Sequence, residues 1–225
     1  MGYPIQRIPT PAQDPQRRSA DRARLLERVA IGLAHEGKNP LHNMVLHLQL
    51  MAEKLSSAEK LGGLPVEKHL TALRDGIGRV DGLLRCFGEF AAPEHLPPDL
   101  AAAARRAIQL FAYEARRASV QVSFQGPEAL LVKSTSALLG DLVAHCLVAG
   151  IEYARDRGRL DATLETRGPV VTLDLRADGG LGSRDHAVPH VEAARRLAHE
   201  AECELSIETP AAGGARLSLT FLHPR

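Results

Sequence analysis

"GLAHEGKNPL", residues 32–41, lies within a long run of apolar residues at helical spacing. It sets His35 beside Glu36, places Asn39 one turn later, and follows it with Pro40. A proline inside a helix costs roughly 3 kcal/mol or more: it removes an N–H, and its ring presses on the carbonyl four residues back. Here that carbonyl belongs to Glu36. The spacing therefore predicts a helix that bends just after His35 and opens a groove for a partner. If Leu33 faces a helical core, His35 lies about 200° away at 100° per residue, on the solvent side. Asn39 shares that face. Glu36 is a candidate acceptor for one imidazole nitrogen, and Asn39 a candidate to orient a water or a phosphoryl oxygen.

Outward from this stretch, Leu26, Val29, Leu33, Gly37, Leu41, Met44, Leu48, Met51 and Leu55 recur at steps of three and four. They predict one helix from Ser19 onward, with Ser19 or Asp21 as its cap. Gly62, Gly63 and Pro65 end it. A second helix carries Leu70, Leu73, Ile77, Val80, Leu84, Phe87 and Ala91 as a heptad. Its interior glycines, each about 1 kcal/mol worse than alanine, imply that packing holds it together. Two such helices form an antiparallel hairpin with one apolar side uncovered. A second copy closes that side as a four-helix bundle, so residues 19–92 are expected to form a homodimer.

Residues 1–18 hold four prolines before the first arginine pair and read as a flexible tail. "AAPEHLPPD", residues 91–99, reads as a linker. Beyond it come a helix at about 98–118, alternation through Val120, Val122 and Phe124, and a short "ALLVK" strand at 129–133. A helix at 135–156, strands "LDATLET" and "VVTLDLR", a helix at 189–201 and strands "CELSIET" and "ARLSLTFL" follow. The order αββαββαββ over residues 93–225 predicts an α/β sandwich with helices on one face of a mixed or antiparallel sheet. The whole is α+β.

The formal charge of +1 gives no electrostatic basis for binding nucleic acid or an anionic membrane. Cys86, Cys146 and Cys203 are odd in number and share no metal-ligand spacing, which suits buried, reduced thiols in a cytoplasmic protein. His42 lies close to the face of His35 without its Glu and Pro context. The other histidines form no i,i+4 ligand pair with an acidic third member, so no metal site is expected.

"LAHEGKNPL" resembles the phosphoacceptor box of sensor histidine kinases, and "RVDGLLRCFGEFA" is similar to the second helix of their dimerisation hairpin. The resemblance covers residues 20–92. It implies that His35 accepts the phosphoryl group, that Glu36 is its acid/base and orienting neighbour, and that Asn39 positions water or a phosphoryl oxygen. The family follows this hairpin with an ATP-binding α/β domain, and residues 93–225 resemble a degenerate one. "LLGDLVAHCLVAGIEYA" is similar to the helix that bears two asparagines, yet His145 and Ala149 stand in their places, and alanine cannot ligate Mg²⁺. "LRADGGLG" is similar to the Asp-x-Gly-x-Gly loop, but Ala177 falls where the adenine-reading aspartate belongs; a slip of one residue would let Asp178 serve. The glycines from Gly179 alone suit a tight turn after a strand. Only "SRDHAVP" replaces the lid, and "PHVEAARRLAH" has no glycine pair.

The resemblance thus implies a histidine phosphotransferase of a two-component phosphorelay. It would need no cofactor of its own, Mg²⁺ being supplied by the receiver domains of its partner response regulators. One donor could be a hybrid histidine kinase. The alternatives are a kinase with an unusual ATP site, or a pseudokinase that dimerises and binds a response regulator without being phosphorylated.

Overall fold

The computed structural model describes residues 15–57, 66–93, 96–178, 184–210 and 214–222. Residues 1–14, the stretch with Gly62, Gly63 and Pro65, and the glycine run from Gly179 lie outside the described residues; the last four residues of the expected tail over 1–18 are helical, since the first helix begins at Pro15. Helix α1 spans Pro15–Ser57 and α2 spans Val66–Ala91. The first helix starts four residues before Ser19, with Pro15 at its first position, where a missing N–H and a preset φ do no harm. It continues through Pro40 without a break.

The seam between the two helices is offset from the heptad read in the sequence. His69, Gly76, Cys86 and Phe90 of α2 are buried, and Leu73, Val80, Leu83 and Phe87 half-buried, whereas Leu70, Ile77 and Leu84 stand exposed. On α1, Leu25, Val29, Gly32 and Pro40 are buried, while Leu41, Val45 and Leu48 are exposed. Gly76 sets the approach: a Cβ there would come within 2.5 Å of Met44 Cγ and 3.5 Å of the Pro40 carbonyl oxygen.

The predicted helix at 98–118 is two helices, α3 Leu100–Leu110 and α4 Ala112–Arg117. Phe111 breaks it, leaving helical geometry (φ −97°, ψ 13°) with its side chain buried in the core. Asp99 caps α3, accepting from the N–H groups of Ala101 and Ala102, and its same carboxylate oxygen takes the Leu130 N–H. "ALLVK" is not a strand. Leu131 forms one isolated bridge with Asp99, because the adjoining Pro97 and Pro98 have no N–H with which to extend a ladder.

Strand β1 (Gln121–Gln125) leads to α5 (Ser136–Tyr153), the hairpin β2 (Arg159–Arg167) and β3 (Val170–Asp178), α6 (Arg184–Glu200), β4 (Glu204–Glu208) and β5 (Ala215–Leu222). The sheet order is β1-β2-β3-β5-β4; β1 and β2 are parallel and the other pairs antiparallel. Alternation places Leu160, Ala162, Val171, Leu173, Leu175, Leu217 and Leu219 in the core on one face. Asp161, Asp174, Arg176 and Ser218 lie on the other, which helices leave uncovered. Helix α5 is long and apolar enough to cross a membrane by composition, and its burial in this fold accounts for that character. Helix α6 begins five residues earlier than expected, with Pro189 near its start.

Hairpin and sheet unit share one core. Leu25 and Val29 of α1 and Cys86 and Phe90 of α2 belong to the same buried cluster as α5 and the sheet. Ion pairs Arg22–Asp141, Arg28–Glu152 and Arg196–Asp21 join α1 to α5 and α6. Burial pushes the Cys86 thiol up to about 11 and that of Cys203 to about 12, so neither is a thiolate at neutral pH.

Candidate functional site

His35 is exposed on α1, as the spacing predicts, and Asn39 is exposed one turn later. The imidazole is not loose. It stacks on Tyr113 of α4 with ring centroids 4.4 Å apart and planes 3° from parallel. Glu36, half-buried, accepts from the guanidinium of Arg116, also on α4. Gly32, one turn before His35, lets α1 close on this helix: a Cβ there would sit 3.4 Å from Tyr113 Cβ and 3.4 Å from the Leu110 carbonyl oxygen.

The far side of the hairpin carries an open groove of about 680 Å³ between α1 and α2. Leu33, Leu41 and Val45 line it from α1, Val80 and Leu84 from α2, and Lys38 and His42 flank it. The segment containing the histidine thus meets α4 on one flank and bare apolar surface on another.

In the sheet unit, Ala149 is fully buried within α5. Ala177 faces the helices, 1% exposed, between Leu160 of β2 and Ala215 of β5. Asp178 is exposed and pairs with Arg176. Strand alternation puts Asp178 on the opposite face of the sheet from Ala177, so a one-residue slip does not bring its carboxylate toward α5. Gly179 lies outside the described residues. Where the resemblance sets an asparagine, His145 is buried and its Nδ1 lies 3.0 Å from Nδ1 of His190 on α6. Burial holds both imidazoles neutral, lowering His145 to about 4 and His190 to about 3; Arg196, Arg28 and Arg24 add to this at His145, and at His190 His145 and Arg28 do.

A second cross-helix pair, His47 and His69, joins α1 to α2 with Nδ1 atoms 3.0 Å apart. Neither pair was found by looking for histidines one turn apart on one helix, since each is made between helices. The same holds for Tyr113 and Arg116, whose only sequence signal is a lone aromatic and a basic cluster in "FAYEARR". Among the described residues no three of His, Cys, Asp and Glu converge as a metal-ligand set.

No protein-family model matches the chain, and no curated protein matches it. Among solved structures the chain is similar to the catalytic domain of histidine kinase ThkA, at 14% identity and a TM-score of 0.47, over 56% of this chain and 94% of that one. It is also similar to a bacterial phosphotransferase, at 15% identity and a TM-score of 0.46, over 93% of this chain and 98% of that one. Histidine kinase AdeS of Acinetobacter baumannii is similar at 12% identity and a TM-score of 0.45, over 85% of this chain and 98% of that one.

Proposed function

We propose that this chain is a histidine phosphotransfer protein of a two-component relay, carrying a phosphoryl group on His35 between receiver-domain aspartates. The observation that carries the reading is the placement of His35: exposed on a long helix, with Glu36 beside it and Asn39 one turn on along the same helix. A neutral ring nitrogen attacks the aspartyl phosphate in line. An N–P bond forms as the acyl P–O bond breaks, the receiver's carboxylate leaves, and the proton on the other ring nitrogen passes to solvent or base. The reverse step charges the next receiver. Receiver domains bring the Mg²⁺ and the carboxylate, so this chain contributes positioning.

The same reading assigns no nucleotide chemistry to residues 93–225. Buried Ala149 offers no oxygen to a cation, and Ala177 offers no carboxylate to a base. A homodimer through the hairpin belongs to the proposal as well. Leu70, Ile77 and Leu84 form an exposed row on α2, and Leu41, Val45 and Leu48 continue the uncovered surface on α1. A surface of this kind is stable in water when a second copy covers it.

The test is to incubate the chain with labelled ATP and, separately, with receiver domains charged from labelled acetyl phosphate. Acid-labile label acquired from a receiver and not from ATP is the expected result. Label taken from ATP would move the assignment to a kinase; label from neither would leave a receiver-binding module.

A further inference from the structure

We propose that α4 of the sheet unit is part of the phosphoacceptor site, with Tyr113 as a positioning residue that fixes the plane of the His35 ring. The proposal rests on the phosphotransfer reading and adds a residue that the hairpin alone does not contain. An exposed histidine on an isolated helix turns about both side-chain torsions. Here the flat stack, 4.4 Å between centroids and 3° between planes, covers one face of the imidazole, while the residue as a whole stays exposed. The orientation is imposed from outside α1, because α4 is anchored elsewhere. Phe111 and Ala115 are buried in the core, and the Val120 N–H donates to the Ala115 carbonyl at the entry to β1. Three residues on one side of α1 make the contact: Gly32 admits α4, His35 stacks, and Glu36 takes Arg116. The spacing i, i+3, i+4 on α1 meets i, i+3 on α4, so two successive turns are pinned at once. In-line transfer from a docked receiver requires the attacking nitrogen in a fixed direction, and misplacement of reacting groups by about 1 Å can cost roughly 100-fold in rate.

The test uses three variants of the full chain: Tyr113→Phe, which keeps the stack, Tyr113→Leu, which keeps apolar bulk against Gly32 without a ring, and Tyr113→Ala. Two phosphoryl donors separate positioning from reactivity. Phosphoramidate reaches the imidazole without docking; a receiver domain that charges the parent chain must dock. With the receiver, we expect Tyr113→Leu and Tyr113→Ala to lose roughly 10- to 100-fold in the rate at saturation with little change in the half-saturating concentration. Tyr113→Phe should keep the parent rate, and all three should react with phosphoramidate as the parent does. Proton NMR of the His35 ring should show upfield-shifted signals in the parent and in Tyr113→Phe, moving downfield in Tyr113→Leu. Equal receiver rates in all variants would overturn the positioning role, and so would a faster Tyr113→Leu, which would make α4 a cover. Unshifted ring signals in the parent would overturn the stack even if Tyr113→Ala failed to fold. His35→Gln is carried in parallel: if it still takes label from the receiver, the phosphotransfer reading itself fails, whatever Tyr113 does.

Discussion

The His35 side chain is exposed and its ring lies against Tyr113, so no core packing depends on it. His35→Gln is therefore expected to leave the circular dichroism spectrum unchanged and to lower the melting temperature only by the loss of one exposed stacked pair, about 0.5–1.5 kcal/mol at most. It should abolish acid-labile phosphate uptake from a charged receiver, because an amide nitrogen is not a usable nucleophile. Uptake at the parent rate would assign the phosphate to another residue, His42 first. Glu36→Gln should slow transfer without abolishing it. The amide still takes a hydrogen bond from Arg116 but loses the charge, and acid–base groups typically contribute roughly 10²- to 10⁴-fold. Asn39→Ala should act on the lifetime of the phosphohistidine more than on its formation, measured as loss of label after the donor is removed. The exposed placement of His35 and Asn39 on α1 was legible in the sequence because a helix fixes the directions of residues three and four apart through local geometry alone. Tyr113 and Arg116 were not. Arg116 lies 80 residues from Glu36, and only packing of the sheet unit against α1 brings them together.

Helices α1 and α2 were readable as elements from their apolar periodicity, but which row of α2 faces α1 was not. Two adjacent rows satisfy a heptad, and the choice falls to small residues. Gly76 decides it, since Met44 and the Pro40 carbonyl occupy the space a larger residue would need. Gly76→Val should destabilise the hairpin by about 1–3 kcal/mol, the usual range for overpacking, read as a lower urea midpoint at unchanged slope. Ile77 stands on the other row, 59% exposed. Ile77→Asp should thus leave the monomer's helicity intact and weaken the proposed dimer by several kcal/mol, because the new charge is buried when the copies meet. Light scattering at micromolar concentration distinguishes the two: a monomeric parent would remove the dimer from the reading. Errors at this scale came from non-local competition. "ALLVK" has the composition of a strand, yet Pro97 and Pro98 deny it a ladder partner, and burial of Phe111 divides a helix whose periodicity runs on either side of it.

For the molecule as a whole, the junction of α1, α5 and α6 ties the hairpin to the sheet unit, and it carries a pH dependence. His145 and His190 meet there with Nδ1 atoms 3.0 Å apart, both buried. The groups facing them are Arg24, Arg28 and Asp21 from α1, Glu152 from α5 and Arg196 from α6. One neutral ring donates its proton to the other, and charging either would bury a cation beside arginines. Burial, with those arginines, lowers His145 from 6.5 to about 4 in the folded state. Above pH 6.5 both folded and unfolded chains hold the imidazole neutral, and the stability is at its full value. As pH falls below 6.5 the unfolded chain takes up a proton that the folded chain refuses, so stability declines until the folded pKa is reached. For a shift of this size the loss from His145 alone is on the order of 3 kcal/mol. His190, lowered in the same direction by burial, steepens the decline. The parent should accordingly lose thermal stability between pH 6.5 and pH 5, a window above the range in which most carboxylates titrate. His145→Gln keeps a hydrogen-bonding group opposite His190 and removes one titration. Its melting temperature should start at or below the parent's at pH 7 and fall less steeply with acid, so that the two curves converge. Parallel melting curves for parent and variant across this window would mean that the pair does not govern the acid response.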